Sequence, residues 1–346
     1  LAGDHGRDGV DPRSRKNAGR YVGDRRMSGD LNPTEGTHPH MTLPGETPQP
    51  HTAAGPGPAP SPGPGGITVG VATAQEWQQI TSWANHEGWD IGHHDFAVFH
   101  ATDPGGFFVG RLDGRPVAAL SVVNYSDDYA FMGNYLVDPA HRGKGYGLAT
   151  WEVAIPHAGS RVIGLDGMPV QEANYKKFGF VSQYRTIRYA GPLTGRPAAT
   201  APPGTELLTP HHLDAVAAYD RTYFPTPRRA FLERWLTAPG HTAHVRFQGG
   251  RLTGYGVIRP SPGGHRIGPL YADTPRDAEA LFDALTAPLA PGAPLCLDAP
   301  EPQQAAASLA ASRGLAHQFH TVRMYRGPAP AAGPERAFAL TELAMG

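Results

Sequence analysis

The chain carries a single cysteine, Cys296, among its 346 residues. One thiol excludes an internal disulfide framework and a cysteine-rich zinc site. It lies in the apolar run Pro294-Leu295-Cys296-Leu297, which reads as a buried strand, so its expected role is packing. Long apolar stretches are missing too. None reaches the roughly 18 residues of a transmembrane helix, and no basic segment runs into an apolar one at the N-terminus, so neither a span nor a signal peptide is expected. Charge of one sign is also lacking: thirty basic and thirty-one acidic residues leave a net −1, with no field to attract nucleic acid or an anionic membrane. These absences point to a soluble, cytoplasmic protein with no nucleic-acid or membrane partner. The adjacent pairs His93-His94 and His211-His212 lack metal-ligand spacing, and no metal is expected.

Glycine (44) and proline (36) are plentiful, and much of the excess sits in residues 1–66, which end in a Gly/Pro run over 55–66. That stretch has too little apolar surface to offset the entropy of ordering and is predicted to be a disordered tail. The chain opens on Leu1, with Met27 and Met41 inside the tail, which points to an alternative start or an over-extended reading frame.

Order is expected from Ile67. A short strand at 67–69 leads to Thr73 as N-cap of a helix bearing Trp77, Ile80, Trp83 and Ala84 at helical spacing. A strand at 107–112, an Asp113-Gly114 hairpin turn and a return strand at 116–123 follow. A strand at 129–137, a glycine-rich turn, a helix over 145–154, a strand at 162–165, a short helix near 171–178 and a strand at 181–189 complete one mixed α/β domain over 67–190. The domain then repeats. The segment 179–188 lies on 314–323 without a gap, and Phe131-Met132-Gly133 lies on Arg266-Ile267-Gly268 at the same 135-residue offset. Asp113-Gly114-Arg115 and Leu165-Asp166-Gly167 also find counterparts at Gly249-Gly250-Arg251 and Leu297-Asp298-Ala299. A linker at 191–203, a diverged second copy at 204–328 and a tail at 329–346 account for the rest.

The chemistry concentrates in Leu136-Val137-Asp138-Pro139-Ala140-His141-Arg142-Gly143-Lys144-Gly145-Tyr146-Gly147. A strand enters a loop of small residues from which a helix opens. Backbone N–H groups there converge on one spot, the helix N-terminus adds partial positive charge, and Arg142 and Lys144 add full charges, so the loop is built for a diphosphate. Arg142-x-x-Gly145-x-Gly147 after this strand resembles the acetyl-CoA signature of the GNAT (Gcn5-related) N-acetyltransferase superfamily. The later Asn174-Tyr175-Lys176-Lys177-Phe178-Gly179-Phe180 is similar to that family's Tyr-x-x-x-Gly-Phe element.

The resemblance implies an α/β fold of two tandem GNAT-like mixed-sheet domains, each a mostly antiparallel sheet flanked by helices, and transfer of acetyl from acetyl-CoA to a small-molecule amine by direct attack. It implies a cofactor seat at Arg142, Gly143, Lys144, Gly145, Tyr146 and Gly147. Leu136 and Val137 would meet the pantetheine arm, and Tyr175 would protonate the departing thiolate. Asn174 is placed with them, although the family's usual asparagine falls near Met168. The strand before the loop, Phe131-Met132-Gly133-Asn134-Tyr135, has no carboxylate where several family members keep a glutamate. The base is therefore sought among Asp127, Asp128, His93, His94 and Asp95, with Asp128 and His94 favoured. At the 135-residue offset Arg142 becomes Asp277, Gly145 becomes Ala280 and Gly147 becomes Phe282, so the second copy is expected to bind no CoA. Two roles remain for it, closing the first copy's acceptor pocket or forming a homodimer surface. Tyr223, Phe224 and Trp235 are aromatic enough to line such a pocket but are read first as core. Acetylation of a protein lysine or N-terminus, and a CoA-binding sensor without turnover, stand as alternatives.

Overall fold

The computed structural model describes residues 64–194, 202–331 and 333–346. The expected tail at 1–66 and linker at 191–203 lie largely outside them. In the first copy β1 (Thr68–Val71) precedes α1 (Ala74–His86), which starts in a capping box: Glu76 N–H donates to the Thr73 hydroxyl while the Glu76 carboxylate receives the Thr73 N–H. The Arg111 guanidinium also binds Glu76, holding its carboxyl at about 2. Next comes α2 (Asp95–Thr102), which the sequence reading leaves out because its apolar residues follow no single face. Strands β2 (Phe107–Leu112) and β3 (Arg115–Asn124) form the expected hairpin, with Asp113 and Gly114 both at positive φ as a type I′ turn requires. After them stand β4 (Tyr129–Val137), α3 (Tyr146–Ala154), β5 (Val162–Gly167), α4 (Glu172–Lys177) and β6 (Val181–Pro192).

The second copy repeats the order: β7 (Thr205–Leu207), α5 (Leu213–Asp220), α6 (Arg229–Thr237), β8 (Thr242–Gln248), β9 (Arg251–Ser261), β10 (Gly264–Ala272), α7 (Pro275–Thr286), β11 (Pro294–Pro300), α8 (Gln304–Ser312) and β12 (Ala316–Arg326). The copies are not separate sheets. One sheet runs β1-β2-β3-β4-β5-β12-β6-β11-β10-β9-β8-β7, so each copy's last strand sits in the other copy's half. β12 pairs β5, and β6 pairs β11, while β6 and β12 (the repeat segments themselves) pair antiparallel with each other. Arg188 of β6 donates twice to Asp298 of β11, at 2.7 and 2.8 Å, and Arg323 of β12 donates to Asp166 of β5, at 3.1 Å through Nε. Both pairs are almost fully buried. The boundary read between 190 and 204 thus divides the sequence but not the sheet.

The copies also share a core, where Phe99 of α2 packs at 5.2 Å from Phe231 and 5.4 Å from Trp235 of α6. Tyr223, Phe224 and Trp235 are buried, as core residues should be.

The segment after β12 departs most from expectation. Within the expected tail 329–346, Ala337–Ala339 forms β13, which pairs β10 through Leu270 and Tyr271, and residues 337–346 are all buried. Two glycines matched in the repeat give this segment room. A Cβ on Gly268 would lie 2.4 Å from the Leu340 carbonyl oxygen, and one on Gly133 would lie 1.7 Å from that of Ala344. The segment therefore crosses from the second copy's middle strand to the first copy's, and Ala337 to Gly346 are part of the fold.

Asp298→Asn leaves two buried guanidinium groups, Arg188 and Arg266, facing a neutral amide, and the expected cost is about 3–5 kcal/mol. Arg229→Ala removes an exposed pair with Asp214 and is expected to leave the urea midpoint unchanged. Urea denaturation of the two variants checks the contrast.

Candidate active site

The middle of β4 is irregular. Ala119 pairs Leu136 and Ser121 pairs Gly133, so β4 holds one residue more than β3 across that interval, a β-bulge. Asn134 occupies it at φ 51. On the other edge β4 pairs β5 in parallel only from Tyr129 to Met132, opposite Val162 to Leu165. Beyond Met132 the two strands part, and among the described residues no strand pairs 133–137 on that side. Their N–H and C=O groups open into a wedge between β4 and β5, and an extended polar ligand can satisfy them as a strand would.

The wedge leads to the loop 138–145. Gly143 and Gly145 take φ 76 and 82, a region costly for residues with a Cβ. Gly145 is the N-cap of α3 and offers no side chain to the first N–H groups of that helix, whereas Thr73 and Thr274 cap α1 and α7 with their hydroxyls. Gly147 serves packing: a Cβ there would come within 2.8 Å of the Tyr135 hydroxyl. The cations brace the loop. Arg142 donates to the Glu87 carboxylate at 2.6 Å and to the Val137 carbonyl at 3.0 Å, and Lys144 donates to the Ala140 carbonyl at 3.0 Å. Tyr146 is buried with Ile67, Val69, Val117 and Ala149 and fastens α3 to the sheet. Uncapped amides, left-handed glycines and a helix N-terminus form an anion seat.

Tyr175 reaches the same region from α4. It is buried, 6.1 Å from the Trp151 ring centre, and takes up the space Gly167 leaves free. Burial pushes its phenol well above the usual tyrosine value, and burial likewise raises Tyr135 to about 12. Tyr175 is therefore neutral over the physiological range and presents a hydroxyl donor. Asn174 is engaged locally, donating to the Gln171 side chain at 2.7 Å.

Of the two favoured bases, Asp128 lies away from the wedge, and His94 lies beside Asp95. Asp128 stands just before β4, eight residues from Leu136 or about 26 Å along the strand, where it accepts from Ser126 and, at 3.3 Å, from the Thr226 hydroxyl. The Ser126 bond holds its carboxyl below the usual range. It is a turn residue. His94 is the residue before α2, near His241 of the second copy. Its neighbour Asp95, weighed beside it, is buried. Burial alone would raise Asp95, but two bonds from Arg259, at 2.9 and 3.1 Å, hold it low. The sequence reading passes over Asn134, although a glycine–asparagine step inside an apolar strand is a bulge signal.

The second copy shows what the wedge needs. β10 pairs β11 in parallel from His265 to Ile267 and then parts from it, as β4 parts from β5. There the chain's own β13 enters beside β10, and the Leu340 N–H donates to the Asp298 carbonyl of β11 at 2.8 Å. The loop is gone as well. Eight residues (138–145) separate β4 from α3, but only two (273–274) separate β10 from α7. Asp277 consequently lies in the first turn of α7, where it is capped by Thr274 and paired with Arg246, and it is not opposite Arg142 as the constant offset implies.

A splayed strand pair, an uncapped glycine loop and a buried tyrosine suit an acyltransferase, and relatives show that class. Residues 74–180 match the family described as "Acetyltransferase (GNAT) family", and residues 216–339 match the "Acetyltransferase (GNAT) domain". Holothin acyltransferase of a Pseudoalteromonas species is 38% identical over 275 residues, 80% of this chain and 93% of that protein. A Pyrococcus horikoshii protein classed as an acetyltransferase superposes with TM-score 0.69 at 23% identity, covering 82% of this chain and 96% of its own. A tandem GNAT protein from the clavulanic acid biosynthesis pathway superposes with TM-score 0.51 at 17% identity, over 76% of this chain and 99% of its own. The chain belongs to the GNAT acyltransferase family and is a tandem member of it.

Gly145→Glu sets a side chain at positive φ and a carboxylate at the α3 N-terminus. The expected result is acetyl-CoA binding weakened at least about tenfold, with about 1–2 kcal/mol lost in stability. Calorimetric titration with acetyl-CoA and a denaturation curve measure both.

Proposed function

We propose that the first copy transfers an acetyl group from acetyl-CoA to a small-molecule amine by direct attack, with no acyl-enzyme intermediate. The observation that carries this is the wedge beyond Met132, where unpaired backbone at 133–137 runs directly into the anion seat. Gly143, Gly145 and the first N–H groups of α3 would hold the diphosphate, and Leu136 and Val137 would pair with the pantetheine arm. The thioester, when bound, supplies the activated acyl group. An N–H of β4 at the bulge donates to its oxygen as negative charge develops, an interaction whose loss typically costs about 2.7–4 kcal/mol. Tyr175, kept neutral by burial, donates a hydrogen bond to the sulfur as the C–S bond breaks. Because burial makes this phenol a weaker acid, it supports the thiolate by hydrogen bonding more than by complete proton transfer.

A narrow cleft lies on the opposite face of β4, lined by Trp77, Phe96, Phe99, Asn134, Glu342 and Met345, and its enclosed space is about 10 Å³, room for one water-sized group. Holothin, named by the similar acyltransferase, is the first acceptor to try. In a thiol-release assay with acetyl-CoA, holothin and a broad panel of small amines, at least one acceptor is expected to yield free thiol and acylated product in equal amounts. Turnover of peptides alone would favour a protein acetyltransferase, and acetyl-CoA binding with no thiol from any amine would favour a sensor.

A further inference from the structure

The cavity on the α1/α2 face of β4 is closed by the second copy. Trp77 and Thr81 of α1, Ile91, Phe96 and Phe99 form its apolar walls, and its polar groups are Asn134, Asp95 and Glu342. Asn134 is buried to 3% exposure, its Nδ2 donates to the Ser121 hydroxyl at 3.2 Å, and its Oδ1 has no partner among the described residues. An acceptor left buried without a donor costs free energy that a ligand N–H can recover. Glu342 reaches the cavity from the segment that crosses Gly133. One oxygen receives the Ala344 N–H at 2.5 Å, and the other lies 3.7 Å from the Arg266 guanidinium, too far for a hydrogen bond. Asp95, by contrast, has both oxygens engaged by Arg259.

We propose that Asn134 and Glu342 form the seat of the acceptor amine, with Glu342 as the proton acceptor that the first copy's own β4 lacks. The proposal rests on reading the first copy as an acetyltransferase site. A neutral primary amine that aims its lone pair at the thioester carbon in the wedge has two N–H bonds to place. One goes to Asn134 Oδ1 and the other to the Glu342 carboxylate. As the C–N bond forms, the amine proton passes to Glu342, the C–S bond breaks, and the thiolate leaves toward Tyr175 on the other face of the sheet. The amide, free CoA and a protonated Glu342, which returns its proton to solvent, balance the step. Trp77, Phe96 and Phe99 line a space about the size of one water, so it is the amine head that sits there.

Burial raises the Glu342 carboxyl above its usual value. The charged groups facing it are Arg266 and Arg259, which lower it, and Asp95 and Asp298, which raise it. A base with a raised value works only above that value, so the rate should climb with pH to the alkaline side of the ordinary carboxylate range.

The test uses the full chain, acetyl-CoA, and the best acceptor among holothin and the amine panel. Glu342→Gln is expected to lower kcat about 10²- to 10⁴-fold at neutral pH and to abolish the acidic limb of the profile, with acetyl-CoA affinity unchanged. Glu342→Asp keeps the charge and should restore part of the rate together with the limb. If Glu342→Gln fails to bind acetyl-CoA through misfolding, the Glu342→Asp and wild-type profiles decide, and a wild-type acidic limb at or below the ordinary carboxylate range overturns the proposal. Wild-type turnover with Glu342→Gln within threefold of it and an unshifted profile overturns this proposal alone. Wild-type inactivity with every amine overturns the acetyltransferase reading and this proposal with it.

Discussion

Two buried aspartates hold each copy's last strand in the other copy's sheet, and the remaining architecture depends on that exchange. Asp166 receives Arg323 and Asp298 receives Arg188, so the pairs are the same contact made twice across a pseudo-twofold relation. A buried ion pair is a poor source of net stability, because desolvating the two charges offsets most of their attraction. Its effect is sharper on alternatives. A strand withdrawn from its partner sheet and left unpaired would leave a guanidinium and a carboxylate unmet in the interior, so each exchanged strand is held where it lies. It also joins β5 to β12 and β6 to β11, which fixes the second copy's C-terminal segment against the first copy's β4.

That segment makes the corresponding strands of the two copies differ. A parallel strand pair that splays exposes backbone donors and acceptors, and these must be met by water, ligand or chain. In the second copy β13 meets them, with Leu270 and Tyr271 of β10 as partners. In the first copy no strand does so among the described residues, and the wedge opens onto left-handed Gly143 and Gly145. The continuation of β13 then lies against Gly133 and brings Glu342 and Met345 to the first copy's cavity. Of the roles left open for the second copy, closure of the first copy's pocket is the one its geometry supports.

The signals legible in the sequence were local ones. Thr73 as an N-cap, Asp113-Gly114 and the left-handed Gly143 and Gly145 each act through contacts within a few residues, so their chemistry can be read where they stand. What escaped depends on partners distant in the chain. Arg188 can pair with Asp166 or with Asp298 on the same pattern, and nothing in the residues distinguishes exchange from its absence. The constant 135-residue offset hid the shortened loop before α7, because the lost residues are regained before β12 and both ends of the repeat stay in step. β13 is three residues long and carries no periodicity to read. Of the cavity's two carboxylates, Asp95 stands among the candidates read before the first hairpin, whereas Glu342 comes from the far end of the chain, where no local pattern marks it.

Burial sets the protonation of the site from both faces of one strand. On the α3/α4 face it keeps Tyr175 neutral and able to donate, as its proposed role toward the sulfur requires. On the α1/α2 face it raises Glu342, which suits a group that must take a proton and release it again. The same desolvation thus favours a donor at the leaving atom and an acceptor at the attacking one, and β4 carries the reacting backbone between them. A single copy of this domain could supply the first environment from its own Trp151, Phe178 and Phe180. The second environment requires a cover over the α1/α2 face, and here that cover is the segment the exchanged sheet delivers. On the proposed reading the tandem arrangement is therefore part of the site, and the segment after the second copy contributes the wall and the carboxylate that the first copy lacks.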